Sequence, residues 1–253
     1  MTQFPRSAAF VPVALALALG LAGCKKDNPA APAAGLPTAA PVASVAAPAG
    51  KAWADQVVKT ADGGYQMGNP DAPLKLVEYA SLTCPHCAAF ATEGFPTLRD
   101  KYVASGRVSL EMRNFVRDKF DTTMAMLVRC GPAETFFPLT EQTFAAQPEL
   151  FKKLEPLGQD KSLAALPDAQ LFPTLADKAG LIDFFAGRGL PKDQARACLA
   201  NTQTATALAD GVQKTLEKYP DFQGTPTFIL NGKNTGVATW DALEPILKNA
   251  GAR

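Results

Sequence analysis

The feature that most constrains this chain is a Cys-Pro-His-Cys motif at residues 84–87. An apolar stretch of strand length, residues 74–80, precedes the motif, and a stretch typical of a helix, residues 88–102, follows it. The chain has five cysteines and one histidine, so the motif holds two of the cysteines and the single histidine. A C-x-x-C motif between a strand and a helix is typical of thiol–disulfide chemistry.

The expected position of the two cysteines explains why they would react. If Cys84 is the N-cap, Pro85 takes the first helical position, where a missing N–H costs nothing. The Cys84 sulfur then faces unpaired N–H groups and the positive end of the helix dipole, which stabilise a thiolate. We therefore expect a Cys84 pKa below the value of about 8.5 for free cysteine. The side chain of His86 would assist, and the less exposed Cys87 would be the resolving thiol.

Two other kinds of site use paired cysteines. A structural zinc ion needs four ligands, and the sequence has no second C-x-x-C or H-x-x-H pair. Cys130 and Cys198 would have to complete the set at an irregular spacing. The second alternative is an inert structural disulfide between Cys84 and Cys87. The order of strand, motif and helix favours redox chemistry over both, so we predict no metal site.

A second motif, Gly-Thr-Pro-Thr-Phe at residues 224–228, lies far downstream. With the C-P-H-C motif, it makes residues 64–250 resemble the DsbA-like branch of the thioredoxin superfamily. The resemblance implies a thioredoxin-like α/β fold in which Pro226 is cis, packs against the C-x-x-C motif and, with Thr225, binds substrate backbone. It also implies that Glu78 is a buried acid beneath the active site. The residues alone leave a solvated Glu78 equally open.

Burial would decide what Glu78 can do. Desolvation disfavours a carboxylate and raises its pKa, so a buried Glu78 could take up or release a proton during thiol exchange.

The chain departs from a minimal thioredoxin unit between about residues 117 and 201, where the pattern is typical of helices. The resemblance implies an inserted helical subdomain at this point. Cys130 and Cys198 both fall within it, and we expect them to form a structural disulfide in an oxidising compartment. The alternative is a pair of buried free thiols, since unpaired cysteine is often buried.

A long amphipathic helix is predicted over residues 202–219, after the insertion. Its apolar side chains recur at helical spacing and are expected to be core. They are Ala205, Leu208, Val212, Leu216 and Tyr219.

Residues 1–23 have the pattern of a signal peptide, with an apolar stretch too short for a confident membrane span. The Leu-Ala-Gly-Cys sequence ending at Cys24 resembles the bacterial lipobox, in which the cysteine becomes the lipidated first residue. The alternative is ordinary cleavage near Gly20 or Gly23, which would leave a soluble periplasmic protein. Either route takes the protein out of the cytosol and into an oxidising compartment, in which disulfides persist. Lys25 after the cysteine mildly favours the outer membrane.

Residues 24–50 are predicted to be a linker between this anchor and a domain over residues 51–253. Residues 28–50 contain ten alanines, five prolines and no charged side chain. Such a composition does not form a core and stays extended. The chain has 25 basic and 24 acidic residues without a pronounced basic cluster, which argues against nucleic-acid binding.

These observations predict a monomeric periplasmic thiol:disulfide interchange protein, most simply a dithiol oxidase. Its partners would be unfolded or cysteine-containing secreted proteins and a membrane redox protein that recharges the site. No cofactor is needed, because the dithiol pair carries the two electrons.

Two rival functions stay open. Thr225 suggests a reductase or isomerase, because the resemblance associates Val with oxidases and Thr with isomerases at this position. Those isomerases carry a dimerisation domain where this chain has the Pro/Ala linker, which favours the oxidase. A non-catalytic binding module is disfavoured by the intact Cys84, Cys87 and Pro226.

Overall fold

Six strands form a mixed sheet in the part of the chain that the structure, a computed structural model, describes, residues 38–253. In chain order they are β1 Val57–Lys59, β2 Tyr65–Met67, β3 Leu74–Ala80, β4 Val108–Asn114, β5 Thr227–Leu230 and β6 Lys233–Asn234. Their order across the sheet is β1-β2-β4-β3-β5-β6. β3 and β4 pair in parallel, and the other neighbouring strands are antiparallel. The apolar stretch of strand length at residues 74–80 is β3.

Helices surround this sheet. They are α1 Pro85–Glu93, α2 Phe95–Thr97, α3 Lys119–Val128, α4 Phe136–Ala145, α5 Gln147–Leu154, α6 Lys161–Ala164, α7 Asp168–Lys178, α8 Leu181–Ala186, α9 Lys192–Ala200, α10 Thr202–Lys218 and α11 Trp240–Asn249. Helices α3 to α9 form the insertion, so the thioredoxin-like α/β fold with an inserted helical subdomain is confirmed. α10 and α11 then return the chain to the sheet.

The single helix predicted over residues 88–102 is divided in the structure. α1 ends at Glu93, and α2 and a π-helical segment, Leu98–Val103, follow it. Pro96 supplies no N–H to a continuing helix, and Gly94 is a poor helix former. A Cβ atom at Gly94 would lie 2.7 Å from the Cβ of Trp240, so α11 can approach this point because the residue is glycine.

The two faces of the sheet are covered by different helices. On one face, Phe90 of α1 packs against Phe228 of β5 and Trp240 of α11, with ring centroids 4.7 and 6.4 Å away. On the other face, Tyr79 of β3 packs edge-on against Tyr219, which directly follows α10, at 5.9 Å. Successive strand residues point to opposite faces, so Glu78 faces α1 while Tyr79 faces the end of α10.

A disulfide joins the first and last helices of the insertion, as predicted. Cys130, just after α3, is bonded to Cys198 in α9, and their Cα atoms are 5.8 Å apart. Neither sulfur is therefore free to complete a zinc site with Cys84 and Cys87. Closing a loop with a sequence separation of 68 stabilises a fold by about 2–4 kcal/mol.

The predicted apolar stripe of α10 is only partly correct. Ala205 and Leu208 are buried, but Leu216 is 43% exposed, and Thr215 is buried in its place. The buried positions follow the spacing of a helix face that passes through Thr215 rather than Leu216. The hydroxyl of Thr215 is accommodated there because it donates to the Gly211 carbonyl oxygen within the helix, at 2.7 Å.

The second half of the predicted linker is also different from expectation. The backbone N–H groups of Ala39 and Val42 donate to the carbonyl oxygens of Asn249 and Gly251, at 2.8 and 2.9 Å. This segment is held to the domain by its backbone, a kind of contact that an Ala/Pro-rich composition does not reveal. The ordered domain therefore extends before residue 51.

The signal peptide predicted at residues 1–23, the lipidation site Cys24 and the first part of the linker lie outside the described residues. Within residues 38–253, no helix has the length and apolar character needed to cross a membrane.

Candidate functional site

Cys84 is the N-cap of α1, as predicted. Its backbone is extended, with φ −93° and ψ 119°, and Pro85 occupies the first helical position. The Cys84 carbonyl oxygen accepts a hydrogen bond from the N–H of Ala88 at 3.1 Å, which begins the helix. The sulfur is thus placed at the end of the helix where N–H groups lack intrahelical partners.

The pKa of the Cys84 thiol is lowered to about 5. The largest cause is a hydrogen bond that the Cys87 side chain donates to the Cys84 sulfur, and burial opposes it. Hydrogen bonds from the side chain of Thr225 and from the backbone N–H groups of Cys87 and His86 lower the pKa further. The predicted direction is confirmed, but the neighbouring thiol contributes more than the end of the helix does.

Cys87 has the opposite character. It is fully buried, and burial raises its pKa well above the ordinary range for a thiol. The hydrogen bond to Cys84 and the charges of Glu78 and Cys84 act in the same direction. Cys84 and Cys87 are both free thiols in the structure. The pair therefore consists of one sulfur that ionises easily and one that holds its proton.

Glu78 is buried beneath this pair, as the resemblance implied. It is 3% exposed, and desolvation followed by the charge of Cys84 raises its pKa to about 8. The solvated alternative is wrong. A carboxyl group with this pKa is mostly protonated at neutral pH and can still lose its proton when a nearby group needs it.

The Thr225–Pro226 peptide bond is cis and lies against the redox pair. The Cys84 Sγ atom lies 3.1 Å from the Thr225 carbonyl oxygen and donates its proton there in the thiol form. A surface cavity of about 270 Å³ adjoins this turn, and its lining includes Gly224, Thr225, Pro226 and Val237. The site thus has an open groove beside the cis turn, and the Thr225 carbonyl oxygen of that turn contacts the Cys84 sulfur.

His86 is exposed. Its backbone N–H contributes to the low pKa of Cys84. A role for the imidazole stays a prediction.

Sequence reasoning missed Asp121, a fully buried residue of α3. Its carboxylate accepts hydrogen bonds from the N–H groups of Leu82 at 2.8 Å and Arg117 at 3.0 Å. Desolvation raises its pKa to about 7. Asp121 therefore holds the loop that carries Cys84 without touching the sulfur.

Gln147, at the start of α5, was missed as well. Its buried side-chain amide donates to the carbonyl oxygens of Leu82 at 2.9 Å and Cys84 at 3.1 Å. No local pattern marks this residue, because its partners are more than 60 positions away in the sequence. Residues of the inserted helices thus hold the backbone of the redox loop.

A family model described as Thioredoxin matches residues 60–249. The chain belongs to the thioredoxin family. Among its named relatives is a provisionally named protein-disulfide oxidoreductase of Rickettsia prowazekii, 30% identical over 179 residues. The match covers 70% of this chain and 57% of the relative. A homologous protein of Rickettsia conorii with the same kind of name is 28% identical over 76% of this chain and 62% of the relative. The chain thus spans about three fifths of these thioredoxin-family relatives.

Solved structures show the same fold. A protein-disulfide isomerase from Novosphingobium aromaticivorans is 32% identical, with a TM-score of 0.67. The similarity covers 74% of this chain and 97% of that one. Wolbachia pipientis alpha-DsbA1 is 20% identical, with a TM-score of 0.59 over 74% of this chain and 90% of that one. The second comparison concerns the fold, which is DsbA-like, with helices inserted into a thioredoxin unit.

Proposed function

We propose that this protein is a thiol:disulfide oxidoreductase that works through the Cys84–Cys87 pair. The observation that supports the proposal most strongly is the difference in pKa between the two thiols. Cys84 has a pKa of about 5 at a helix N-terminus, whereas the buried Cys87 holds its proton. The names of the Rickettsia relatives and of the Novosphingobium structure support the same reaction class.

In the oxidising direction, the reaction starts from a Cys84–Cys87 disulfide. A substrate thiolate attacks the Cys84 sulfur, the bond between the two cysteines breaks, and Cys87 leaves with the electron pair and takes up a proton. A second substrate thiolate then attacks the substrate sulfur of the mixed disulfide and releases Cys84 as a thiolate. The substrate loses two electrons and gains a disulfide, and the protein gains both electrons. The dithiol pair therefore needs no cofactor.

Glu78 supplies the proton that Cys87 takes up in this reaction. Cys87 leaves as a thiolate in a buried place that strongly disfavours the charge. Glu78 is beside it, and a pKa raised to about 8 keeps its carboxyl protonated at neutral pH. Transfer of that proton to Cys87 makes it a better leaving group, and recharging of the disulfide returns the proton.

The substrates would be unfolded or cysteine-containing secreted proteins. Their extended backbone would lie in the groove beside the cis Thr225–Pro226 bond, from which a substrate cysteine would reach the Cys84 sulfur. The protein would act in the periplasm as a monomer, anchored through a lipid on Cys24 with the outer membrane mildly favoured, and a membrane redox protein would recharge the disulfide.

The favoured direction is oxidation of substrates. Stabilising the Cys84 thiolate stabilises the reduced pair, and this makes the disulfide form a stronger oxidant. The second candidate function is disulfide isomerisation or reduction. It is favoured by Thr225 before the cis-proline and by the name of the Novosphingobium protein, with 32% identity.

The reduction potential of the Cys84–Cys87 pair, measured by glutathione equilibrium, tests the direction. We expect a value well above that of thioredoxin, about −270 mV, and thiolate absorbance that titrates near pH 5. A potential near thioredoxin's, or a Cys84 pKa near that of free cysteine, would replace the oxidase with the isomerase or reductase.

His86→Ser serves as the companion variant in that experiment. We expect it to raise the Cys84 pKa, lower the potential and leave the fold intact. The Cys84 pKa should rise by no more than about one unit, because the serine keeps the backbone N–H that faces the sulfur. One pKa unit corresponds to about 1.4 kcal/mol.

A further inference from the structure

A second cavity, of about 390 Å³, opens on the face of the sheet that is turned away from the redox pair. Tyr79 lines it, together with residues of α10 and of the turn between β1 and β2. Because Tyr79 directly follows Glu78 on β3, the two side chains point to opposite faces. This cavity is therefore separate from the groove beside Thr225 and Pro226.

Positive charge dominates the lining of this cavity. Its basic residues are Lys59, Arg113, Arg129, Lys214 and Lys218, and its acidic residues are Asp62 and Asp210. Arg113 is neutralised, because it forms ion pairs with Glu111 at 2.8 Å and Asp62 at 2.7 Å. Within residues 38–253, the other four basic side chains form no ion pair with a carboxylate. Such a concentration of unpaired positive charge favours a negatively charged occupant.

Arg129 is the most enclosed of these four cations. Its guanidinium donates to the Asn114 Oδ1 atom at 3.1 Å and to the Gly63 carbonyl oxygen at 2.8 Å. Desolvation lowers its pKa, which means that its charge is poorly compensated where it lies. A guanidinium has five N–H donors, so N–H groups are left for a ligand. The disulfide at Cys130 holds the adjoining backbone in place.

Asn114 gives an independent indication of a ligand. It lines the cavity, is 8% exposed, and its Oδ1 atom is taken by Arg129. Its Nδ2 atom is buried without a hydrogen-bond partner among the described residues. A buried donor left unpaired costs about 1–3 kcal/mol, and an acceptor supplied from outside removes that cost.

We propose that this cavity binds a small soluble molecule through a phosphate or carboxylate group. Arg129 and Asn114 donate hydrogen bonds to its oxygens, and Lys214 and Lys218 attract it at the exposed edge. Oxyanions of this kind are the groups that arginine donors match best in charge and geometry. The size of the cavity lies in the range typical of small-molecule sites, and Tyr79 and Leu208 offer apolar surface to the rest of the molecule.

The test uses isothermal titration calorimetry with two probes, inorganic phosphate and citrate, at constant ionic strength set with sodium chloride. We expect one saturable site for at least one probe. Tighter binding of phosphate identifies a phosphate-bearing ligand, and tighter binding of citrate identifies a carboxylate-bearing one. Absence of saturable binding for both probes would overturn the proposal.

Two variants locate the site. Asn114→Asp keeps the side-chain size but turns the donor into a carboxylate, and Lys214→Glu reverses an exposed charge. Each should weaken binding by roughly tenfold or more, because Asn114→Asp removes a hydrogen bond to a charged group and Lys214→Glu replaces an attraction by a repulsion. Lys161→Gln removes an exposed charge outside the cavity and should bind like the wild type. Equal binding by all four proteins would show that the anions do not use this cavity. Binding is the readout throughout, so the outcome does not depend on the redox activity.

Discussion

The chemistry and the positioning of the redox loop come from two different regions of the molecule. The segment from β3 to α1 supplies the reacting groups Glu78, Cys84 and Cys87 within ten consecutive residues. The inserted helices supply Asp121 and Gln147, which bind backbone groups of that segment. One region determines which atoms react, and the other determines how rigidly they are held.

The difference shows that the reactivity of Cys84 depends mostly on residues close to it in the sequence. The position of the redox loop depends on tertiary contacts with distant residues. The low pKa of Cys84 depends first on Cys87, three residues away, and then on Thr225 and on backbone N–H groups of the same helical turn. The hydrogen bonds of Gln147 join residues 63 and 65 positions apart. Substitutions in the two regions should therefore have different effects on activity and on stability.

The largest expected effect separates activity from stability. Cys84→Ser should abolish disulfide exchange, because a serine hydroxyl cannot form a mixed disulfide, and should leave the thermal stability nearly unchanged. Cys130→Ser combined with Cys198→Ser should keep the exchange activity and lose about 2–4 kcal/mol of unfolding free energy. Insulin reduction or peptide oxidation measures the first property, and chemical denaturation the second. If the double variant lost its activity while still folded, the Cys130–Cys198 disulfide would belong to the reaction.

Asp121→Asn tests the positioning region, which consists of Asp121 and Gln147 of the inserted helices, through the pH dependence of stability. In the unfolded chain Asp121 ionises near pH 4, but in the fold its pKa is raised to about 7. The folded state therefore holds an extra proton between these values, and this residue makes stability fall as the pH rises from about 4 to about 7.

The stability of the Asp121→Asn variant should not fall in this way between about pH 4 and about pH 7, because an amide does not ionise. The variant should also lose about 1–3 kcal/mol, because the N–H of Leu82 or of Arg117 would then face an NH2 group instead of an oxygen. Denaturation curves of both proteins from pH 4 to pH 8 measure the difference. A difference that is constant across this range would mean that Asp121 is ionised throughout.

Gln147→Leu should have the smallest effect, about 1–2 kcal/mol of unfolding free energy. It removes the donor of the Leu82 carbonyl oxygen, whereas the Cys84 carbonyl oxygen keeps its hydrogen bond from the Ala88 N–H. A positioning role also predicts a shifted Cys84 pKa, which thiolate absorbance reports and which a purely structural loss would not change. Gln142→Leu is the matched control. Gln142 is exposed on α4, and its side-chain amide donates to the Pro138 carbonyl oxygen of the same helix. Equal Cys84 pKa values in the two variants would remove Gln147 from the positioning region.

The sequence was sufficient for the parts of the site that rest on local chemistry. The cap at Cys84, the buried Cys87 and the disulfide of the insertion follow from spacing, helix-end physics and compartment. Glu78 and Pro226 required the family resemblance, since neither position is distinctive by itself. Asp121 and Gln147 could not be predicted, because an acid or an amide early in a helix looks like an ordinary surface residue until its tertiary partners are known.

Two errors in the fold have the same origin. Residue type predicts Leu216 rather than Thr215 on the buried stripe of α10, although the direction of the buried face is set by the elements packed against the helix. Composition predicts a linker at residues 38–50, because they lack side chains that form a core. Their contacts use backbone groups, which composition does not describe.

Those backbone contacts determine where a recombinant fragment of this protein can safely begin. The indole N–H of Trp53 donates to the Val45 carbonyl oxygen at 2.7 Å, and the guanidinium of Arg107 donates to that of Val42 at 2.8 Å. A fragment cut at residue 51 would leave both donors without these partners and would uncover the end of the polypeptide near Gly251. A fragment that starts at residue 38 keeps them, and it is the shorter chain on which crystallisation or calorimetry should be attempted.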